Sequence, residues 1–441
     1  MKKKFNITGI CYPHRHYMMD STQKMKEVMQ MVDDGDYFII NRPRQYGKTT
    51  TLFLLGEALN DLADYVPIEM NFQGIDEQWH QSDQQFAQMF YKELVNILDY
   101  QQPSIRPFLK EQNAEVEDMG NLSNFITQLV DKLDKKLVLI IDEVDASSTY
   151  APFIRLLGML RTKYLRKHKV QHATFHSVVL AGVHDIKTLK HKIREPQDSK
   201  YLSPWNIAAD FKIRMSFIPS EIVPMLKDYS EAESVSMDIS AMADKLYYYT
   251  AGYPFLVSKL CKIIAEEVLP KKESAEQNWS LEDLETAVQL LLKEHNTNFD
   301  TLIKNLENNK DLYDLAYRII IEGEIIPSNP DEPIIYLGQL YGFFKSNGSL
   351  KIHNRIYEQR IYNYMTAKTI VNFPKVRNYA GHFLLDNHEL DLEAVLLKFQ
   401  QVMKEQHSLK TTDFLEEQGR LVFLSFLAPI LNGHGYSFKE V

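Results

Sequence analysis

The feature that most constrains this chain is a short apolar run, Tyr37-Phe38-Ile39-Ile40-Asn41, passing directly into Arg42-Pro43-Arg44-Gln45-Tyr46-Gly47-Lys48-Thr49-Thr50. Such a run fits a strand buried on both faces. The following stretch, "TTTLFLLGEALND", reads as a helix. Gly47-Lys48-Thr49 therefore lies between a strand and a helix, where a Walker A loop places Gly-Lys-Thr. In such a loop, consecutive backbone N–H groups form an anion nest. The Lys reaches the β/γ-phosphates, the Thr reaches Mg2+, and the helix aims its N-terminus at the phosphates. The motif's leading glycine would stand at position 42, but Arg42 is there. Pro43 pushes the residue before it towards extended backbone, so position 42 needs no positive φ and admits a side chain. Gly47 is the residue expected to need a positive φ or a close backbone approach. The bland alternative is a strand, turn and helix that contain Gly-Lys-Thr by chance.

Further strands are predicted at 65–72, at 136–145 ("KLVLIIDEVD") and at 176–183 ("HSVVLAGV"). The alternating "FKIRMSF" at 211–217 reads as a fifth. Helical patterns lie between them: 20–36, which stops at Gly35; 83–134, broken near "QQPSIRP"; and "PFIRLLGMLRTKYLRKHK", with Phe153, Leu156, Leu157 and Leu160 on one face. Strands alternating with helices predict an α/β fold with a mostly parallel, doubly wound sheet. Its ligand is expected beyond the carboxyl ends of the strands. The run "LVLIIDEVD" ends in Asp142-Glu143, as a Walker B strand does. Asp142 is expected to hold Mg2+ and Glu143 to polarise the attacking water. An acidic pair at one strand end is common, but both halves in this order at strand ends make coincidence a poor account.

The chain's 441 residues suit two or three domains. The core is expected over 1–220, a helical lid over 221–308, a winged-helix-like unit over 309–366 and a helical region over 367–441. The ribbon-like "GSLKIHNRIYEQRIY" after a helical stretch motivates the winged helix. A net charge of -9 is a poor global fit to DNA, so nucleic-acid contact would need a local basic patch such as Lys351, Arg355 and Arg360. Two distant cysteines, Cys11 and Cys261, argue against a disulfide framework and for a reducing cytoplasm. The first residues carry basic charge without an apolar stretch, and no run is long enough to span a bilayer, so neither a signal peptide nor a membrane partner is expected. Cys11, His14 and His16 lack a fourth partner at motif spacing, which argues against zinc.

The segments "FNITGICYPHRHYMMD", "INRPRQYGKTTTL", "VLIIDEVD", "SVVLAGVHDIKTLKHKIR", "SPWNIA", "YTAGYPFLVSKLC" and "IHNRIYEQRIYN" resemble a bacterial AAA-like ATPase family of the AAA+/STAND superfamily, often joined to a PD-(D/E)XK nuclease-type domain. The resemblance covers nearly the whole chain. It implies a P-loop NTPase core, helical lid and winged helix, with ATP and Mg2+ as cofactors. Arg44-Gln45-Tyr46 looks native to the family's loop. Pro43, Arg44, Gln45, Tyr46, Gly47, Lys48, Thr49 and Thr50 would hold the nucleotide, with Lys48 and Glu143 catalytic and Thr49 and Asp142 on the metal. The segment His16-Tyr17-Met18-Met19-Asp20 would lie near the adenine, where Tyr17 and Met18 either stack on the base or simply pack. Gly252 and Pro254 of "TAGYPF" resemble a Gly-x-Pro lid turn, which is also an ordinary helix-start turn. His184, Asp185 and Lys187 offer no clean sensor. Arg155, Arg161, Arg194 and Arg214 are candidate fingers or sensors, each more simply a solvated arginine. No convincing Asp…Glu-x-Lys pattern appears in the last hundred or so positions, so no nuclease activity is expected; 414–429 reads as a remnant or a docking surface. The expected function is Mg-dependent ATP hydrolysis coupled to lid and winged-helix movement, with DNA or a partner protein met through the winged helix and C-terminal region and homo-oligomer formation left open. The alternative is a nucleotide-gated interaction module or DNA-binding regulator with little turnover.

Overall fold

The structure, a computed structural model, describes residues 2–111, 116–167, 173–183, 205–272, 278–372, 391–393, 395–397 and 399–400. It divides into two compact units, 1–287 and 288–441.

The first unit is built on four parallel strands: β1 (Tyr37–Asn41), β2 (Tyr65–Asn71), β3 (Lys136–Asp142) and β4 (Ser177–Gly182), in the order β1-β4-β3-β2. β3 and β4 are central and buried almost end to end, as their unbroken apolar sequence requires. Pro67 interrupts β2 without penalty because β2 pairs on one side only, with β3, and a proline lacks just the N–H an edge strand need not donate. The register sets Asn41 beside Gly182 and Asn71 beside Asp142. The loop after β1 and the acidic end of β3 thus emerge at the same edge of the sheet, either side of β4.

Helices cover this sheet: α1 (Thr22–Asp33), α2 (Lys48–Asn60), α3 (Asp83–Gln101), α4 (Arg106–Glu111), α5 (Met119–Leu133) and α6 (Ala151–Leu165). The break expected near "QQPSIRP" in the helical stretch 83–134 falls after Gln101, where Pro103 starts a separate turn. α3 and α5 begin on side-chain caps, Ser82 accepting from the Gln85 N–H and Asp118 from the Asn121 N–H. Leu122, Phe125, Ile126, Leu129 and Leu133 form one stripe of α5 and enter the core beside Phe153, Leu156, Leu157 and Leu160 of α6.

The fifth strand expected at 211–217 does not form. The chain meets β1 at a single bridge, Ala209 to Phe38, with the Ala209 N–H donating to the Tyr37 carbonyl at 2.8 Å. Beyond it the ladder gives way to a side chain: the Arg42 guanidinium donates to the carbonyls of Phe211 at 3.3 Å and Ile213 at 2.9 Å. Carbonyls two residues apart in an extended chain face the same way, so one guanidinium nitrogen serves both.

The first unit continues with α7 (Pro219–Glu233), β5 (Ser236–Met237), α8 (Ile239–Thr250), α9 (Pro254–Ile263) and β6 (Asn278–Trp279), which pairs with β5. α10 (Leu281–Lys293) follows. The second unit holds α11 (Thr297–Asn308), α12 (Lys310–Tyr317), α13 (Pro333–Leu340), the antiparallel hairpin β7 (Phe344–Asn347) and β8 (Ser349–Ile352), and α14 (Arg355–Asn372). Positions 414–429 lie outside the described residues. No helix among the described residues is long and apolar enough to cross a membrane.

Candidate functional site

β1 delivers the chain into the loop at Asn41, and α2 starts at Lys48 with Gly47 at its N-cap. Gly47 is left-handed, at φ 83°, and so is Gln45, at φ 56°. Two left-handed residues this close curl successive N–H groups towards one hollow, the geometry of an anion nest at a helix N-terminus. Arg42 does not take a positive φ, in keeping with its place before Pro43. Its own N–H donates to the Gly182 carbonyl at 3.2 Å, and its guanidinium reaches away to Phe211 and Ile213 and lies over the Phe211 ring, 5.2 Å from the centroid.

Lys48 is only 6% exposed and folds back onto the loop, its ammonium donating to the Arg42 carbonyl at 2.9 Å and the Pro43 carbonyl at 3.0 Å. Burial pulls its pKa below the ordinary lysine value, opposed by the charges of Glu143, Asp142 and Asp145. Those acids end β3. Asp142, also 6% exposed, accepts from the Thr49 hydroxyl at 2.7 Å through one oxygen and from the Glu143 N–H at 2.8 Å through the other. Glu143 is left-handed at φ 53°, uncommon for a residue with a long side chain. Burial raises its pKa, as does the charge of Asp142, while Lys48 lowers it. Asp145 accepts from the Val183 N–H just past β4, which ties the acidic turn to the neighbouring strand end.

The oxygen pair of Thr49 and Asp142 suits Mg2+. Octahedral coordination at about 2.1 Å places adjacent oxygen ligands about 3 Å apart, close to the separation seen here. The bare Gly47, the left-handed Gln45 and the Lys48 ammonium suit a polyphosphate beside it.

Two further segments close around the loop. The Cys11 N–H donates to the Thr50 hydroxyl at 3.1 Å, and the Tyr12 ring meets Phe53 of α2 edge-on, their centroids 5.0 Å apart. Tyr17, 3% exposed, packs against Phe5 and Tyr229 and donates its hydroxyl to Glu233 of α7 at 3.0 Å. Of the two readings of Tyr17 the contacts are those of packing, whereas Met18 keeps partial exposure. His16 accepts from the Tyr12 N–H through Nδ1 at 2.8 Å, a local turn contact.

The other segment is the turn between α8 and α9. Gly252, at φ 71°, is pressed on the backbone of Phe217 so closely that a Cβ would fall 1.9 Å from the Phe217 carbonyl oxygen. The Phe217 N–H donates to the Gly252 carbonyl at 2.9 Å. This turn sets Pro254 against Gly47, its Cγ 3.9 Å from where a Cβ on Gly47 would stand. It also sends the Tyr253 hydroxyl to the Arg44 carbonyl at 2.6 Å and stands the Tyr253 ring edge-on to Tyr46 at 4.6 Å. The Tyr46 hydroxyl is hydrogen-bonded to Ser216. Tyr253 and the Arg42 side chain are the contacts that sequence reasoning missed. A tyrosine between Gly252 and Pro254 was the only signal.

Of the candidate arginines, Arg155 pairs with Asp83 and Arg161 donates to Asn206 at 3.0 Å, whereas Arg214 is exposed and its charge acts on Tyr46 of the loop. His184, Asp185, Lys187 and Arg194 lie outside the described residues.

A Walker-type ATPase of Pyrococcus abyssi has a similar structure, with a TM-score of 0.51 at 13% identity over 81% of this chain and 99% of that one. At that identity the similarity is one of fold, and the fold is that of P-loop ATPases. The ORC2 protein of Aeropyrum pernix matches at TM-score 0.42 and 12% identity, over 83% of this chain and 98% of that one. Cdc6p of Pyrobaculum aerophilum matches at TM-score 0.38 and 15% identity, over 82% and 97%. At those scores neither adds to the fold comparison. No curated protein matches the chain. The AAA-like domain family matches residues 10–350, a span that takes in the phosphate-type loop, the acidic end of β3 and the turn between α8 and α9, and the chain belongs to that family.

Proposed function

We propose that this protein binds ATP with Mg2+ at the junction of β1, α2 and β3 and hydrolyses it. The observation that carries the reading is the hydrogen bond from Thr49 to Asp142, at 2.7 Å, with Glu143 next along the chain and Lys48 beside them. A loop that cradles phosphate and a strand end that offers carboxylates converge on one point.

Lys48 would leave the carbonyls of Arg42 and Pro43 for the β- and γ-phosphates, exchanging two neutral acceptors for charged ones. The amides of Gln45 to Thr50 would hold the same groups, with Pro43 and Arg44 shaping the loop's entry. Thr49 and Asp142 would hold Mg2+, which when bound offsets charge on the phosphate oxygens. Glu143 would accept a hydrogen bond from the attacking water and orient it in line. Pro254 and Met18 would border the nucleotide from the turn and from the N-terminal segment. The helices of 221–308 would act as a lid and 309–366 as a winged helix, both moving with nucleotide state as in the AAA+/STAND superfamily.

The testing variant is Glu143→Gln. It should bind MgATP as the wild type does and lose at least about 100-fold in phosphate release, the scale of a positioned acid–base group. A Glu143→Gln protein with wild-type turnover would remove Glu143 from the mechanism.

A second reading is a DNA-contacting regulator with little turnover, favoured by the hairpin of the second unit. Lys345 and Lys351 are paired directly across β7 and β8, both exposed, an arrangement of like charges that costs stability unless an anion lies over it. Glu358 lies close enough to these charges to offset part of them. Duplex DNA binding that weakens steeply with salt, and weakens in the double variant Lys345→Ala/Lys351→Ala, would support it. Absent or salt-insensitive binding would contradict it.

A further inference from the structure

The loop carries a left-handed conformation at Gln45, which has a side chain and is disfavoured there. The peptide group before it is trans, so the Arg44 carbonyl and the Gln45 N–H point in opposite directions. Rotating that one peptide unit would turn the carbonyl into the hollow and the N–H out, reversing the local field from anion-attracting to anion-repelling. A hydrogen bond from the neighbouring turn favours one of the two arrangements. The Tyr253 hydroxyl donates to the Arg44 carbonyl at 2.6 Å and so resists rotation of that peptide unit. Tyr253 is itself placed rigidly. Its ring is buried edge-on against Tyr46, and the preceding Gly252 is locked on the Phe217 backbone.

We propose that Tyr253 is a positioning residue for the phosphate nest: its hydroxyl, delivered by the turn between α8 and α9, fixes the Arg44–Gln45 peptide so that the Gln45 N–H faces the phosphate chain of a nucleoside di- or triphosphate. The proposal rests on the nucleotide reading above and adds a coupling to it. A bound phosphate favours the N–H inward, therefore the carbonyl outward, therefore the Tyr253 contact. Docking of the α8–α9 turn and phosphate binding strengthen each other by the same factor, because linkage is reciprocal.

The variant Tyr253→Phe keeps the ring and its packing on Tyr46 and removes only the hydroxyl. Calorimetry with MgATP, MgADP and adenosine, and amide exchange across Pro254–Ile263 with and without MgADP, read the result. The expected outcome is a cooperative unfolding transition without ligand, its melting temperature lower by only a few degrees for the lost hydrogen bond, a loss of about five- to tenfold in affinity for both MgATP and MgADP, and adenosine affinity as in the wild type. Slowing of exchange on adding MgADP, clear in the wild type, should shrink in Tyr253→Phe. Wild-type affinity and protection in Tyr253→Phe would overturn the proposal and leave the nucleotide site standing. Equal losses for adenosine and MgADP would also overturn it, since the hydroxyl would then serve packing and not the phosphates. A wild-type protein that binds neither MgATP nor MgADP would overturn both.

Discussion

The hydroxyl of Thr49 and the carboxylate of Asp142, 93 residues apart in sequence, are joined by a 2.7 Å hydrogen bond. Thr49 sits in the first turn of α2 and Asp142 is the last residue of β3. The parallel register of β1, β4 and β3 brings them together. In the proposed site the two oxygens are adjacent ligands of one Mg2+. Chelation with EDTA should abolish phosphate release and added Mg2+ should restore it. Thr49→Ala should shift the Mg2+ concentration for half-maximal turnover upward by about tenfold, the loss of one ligand-quality hydrogen-bonding oxygen. Turnover in Thr49→Ala with an unchanged Mg2+ requirement would count against the assignment.

Arg42 stands where the motif has its first glycine, and the structure gives it separate work. Its guanidinium holds the Phe211 and Ile213 carbonyls where a fifth strand would otherwise pair. Arg42→Gly would make the loop look more like the motif. It should nonetheless destabilise the protein by roughly 1.5–3 kcal/mol, the range for hydrogen bonds to a charged group, measured by urea unfolding. A neutral or stabilising Arg42→Gly would show that the tie to 211–213 is dispensable.

Lys163 of α6 is buried away from this site, donating to the Ser123 carbonyl at 2.9 Å and the Thr127 hydroxyl at 2.6 Å. Burial pushes its pKa down to about 8 from the ordinary 10.5, with Asp131 opposing. Between those values the unfolded chain holds a proton that the folded protein has released. Stability therefore gains from this residue as pH rises from about 8 towards 10.5. Lys163→Met should remove that gain, so the urea midpoint of the wild type should rise relative to that of the variant over that interval. Midpoints that keep a constant separation across it would contradict the assigned shift.

Much of the sheet was legible in the sequence, for a local reason. Strands buried on both faces are short unbroken apolar runs, and 37–41, 136–142 and 177–182 announce themselves that way. The loop and the acidic pair were legible because each sits at the end of such a run. The segment 211–217 was misleading because alternation reports an extended chain, not its partner; here the partner is a guanidinium. Tyr17 has an aromatic ring that suits a base or a core equally, and only the positions of Phe5, Tyr229 and Glu233 distinguish them. Tyr253 was invisible for a similar reason. Its partner is a backbone carbonyl 209 residues away, and a carbonyl has no residue signature.

Every functional role proposed for the loop depends on the hollow between Gly47, Lys48 and Asp142 binding the phosphates of ATP. Lys48 is the direct test, since its ammonium already lies over the loop carbonyls and its removal leaves the fold's apolar core untouched. Titration of MgATP into wild type and Lys48→Ala by calorimetry should give saturable binding in the first and none in the second. Lys48→Ala protein that binds MgATP with wild-type affinity would show that the phosphates of ATP are held elsewhere.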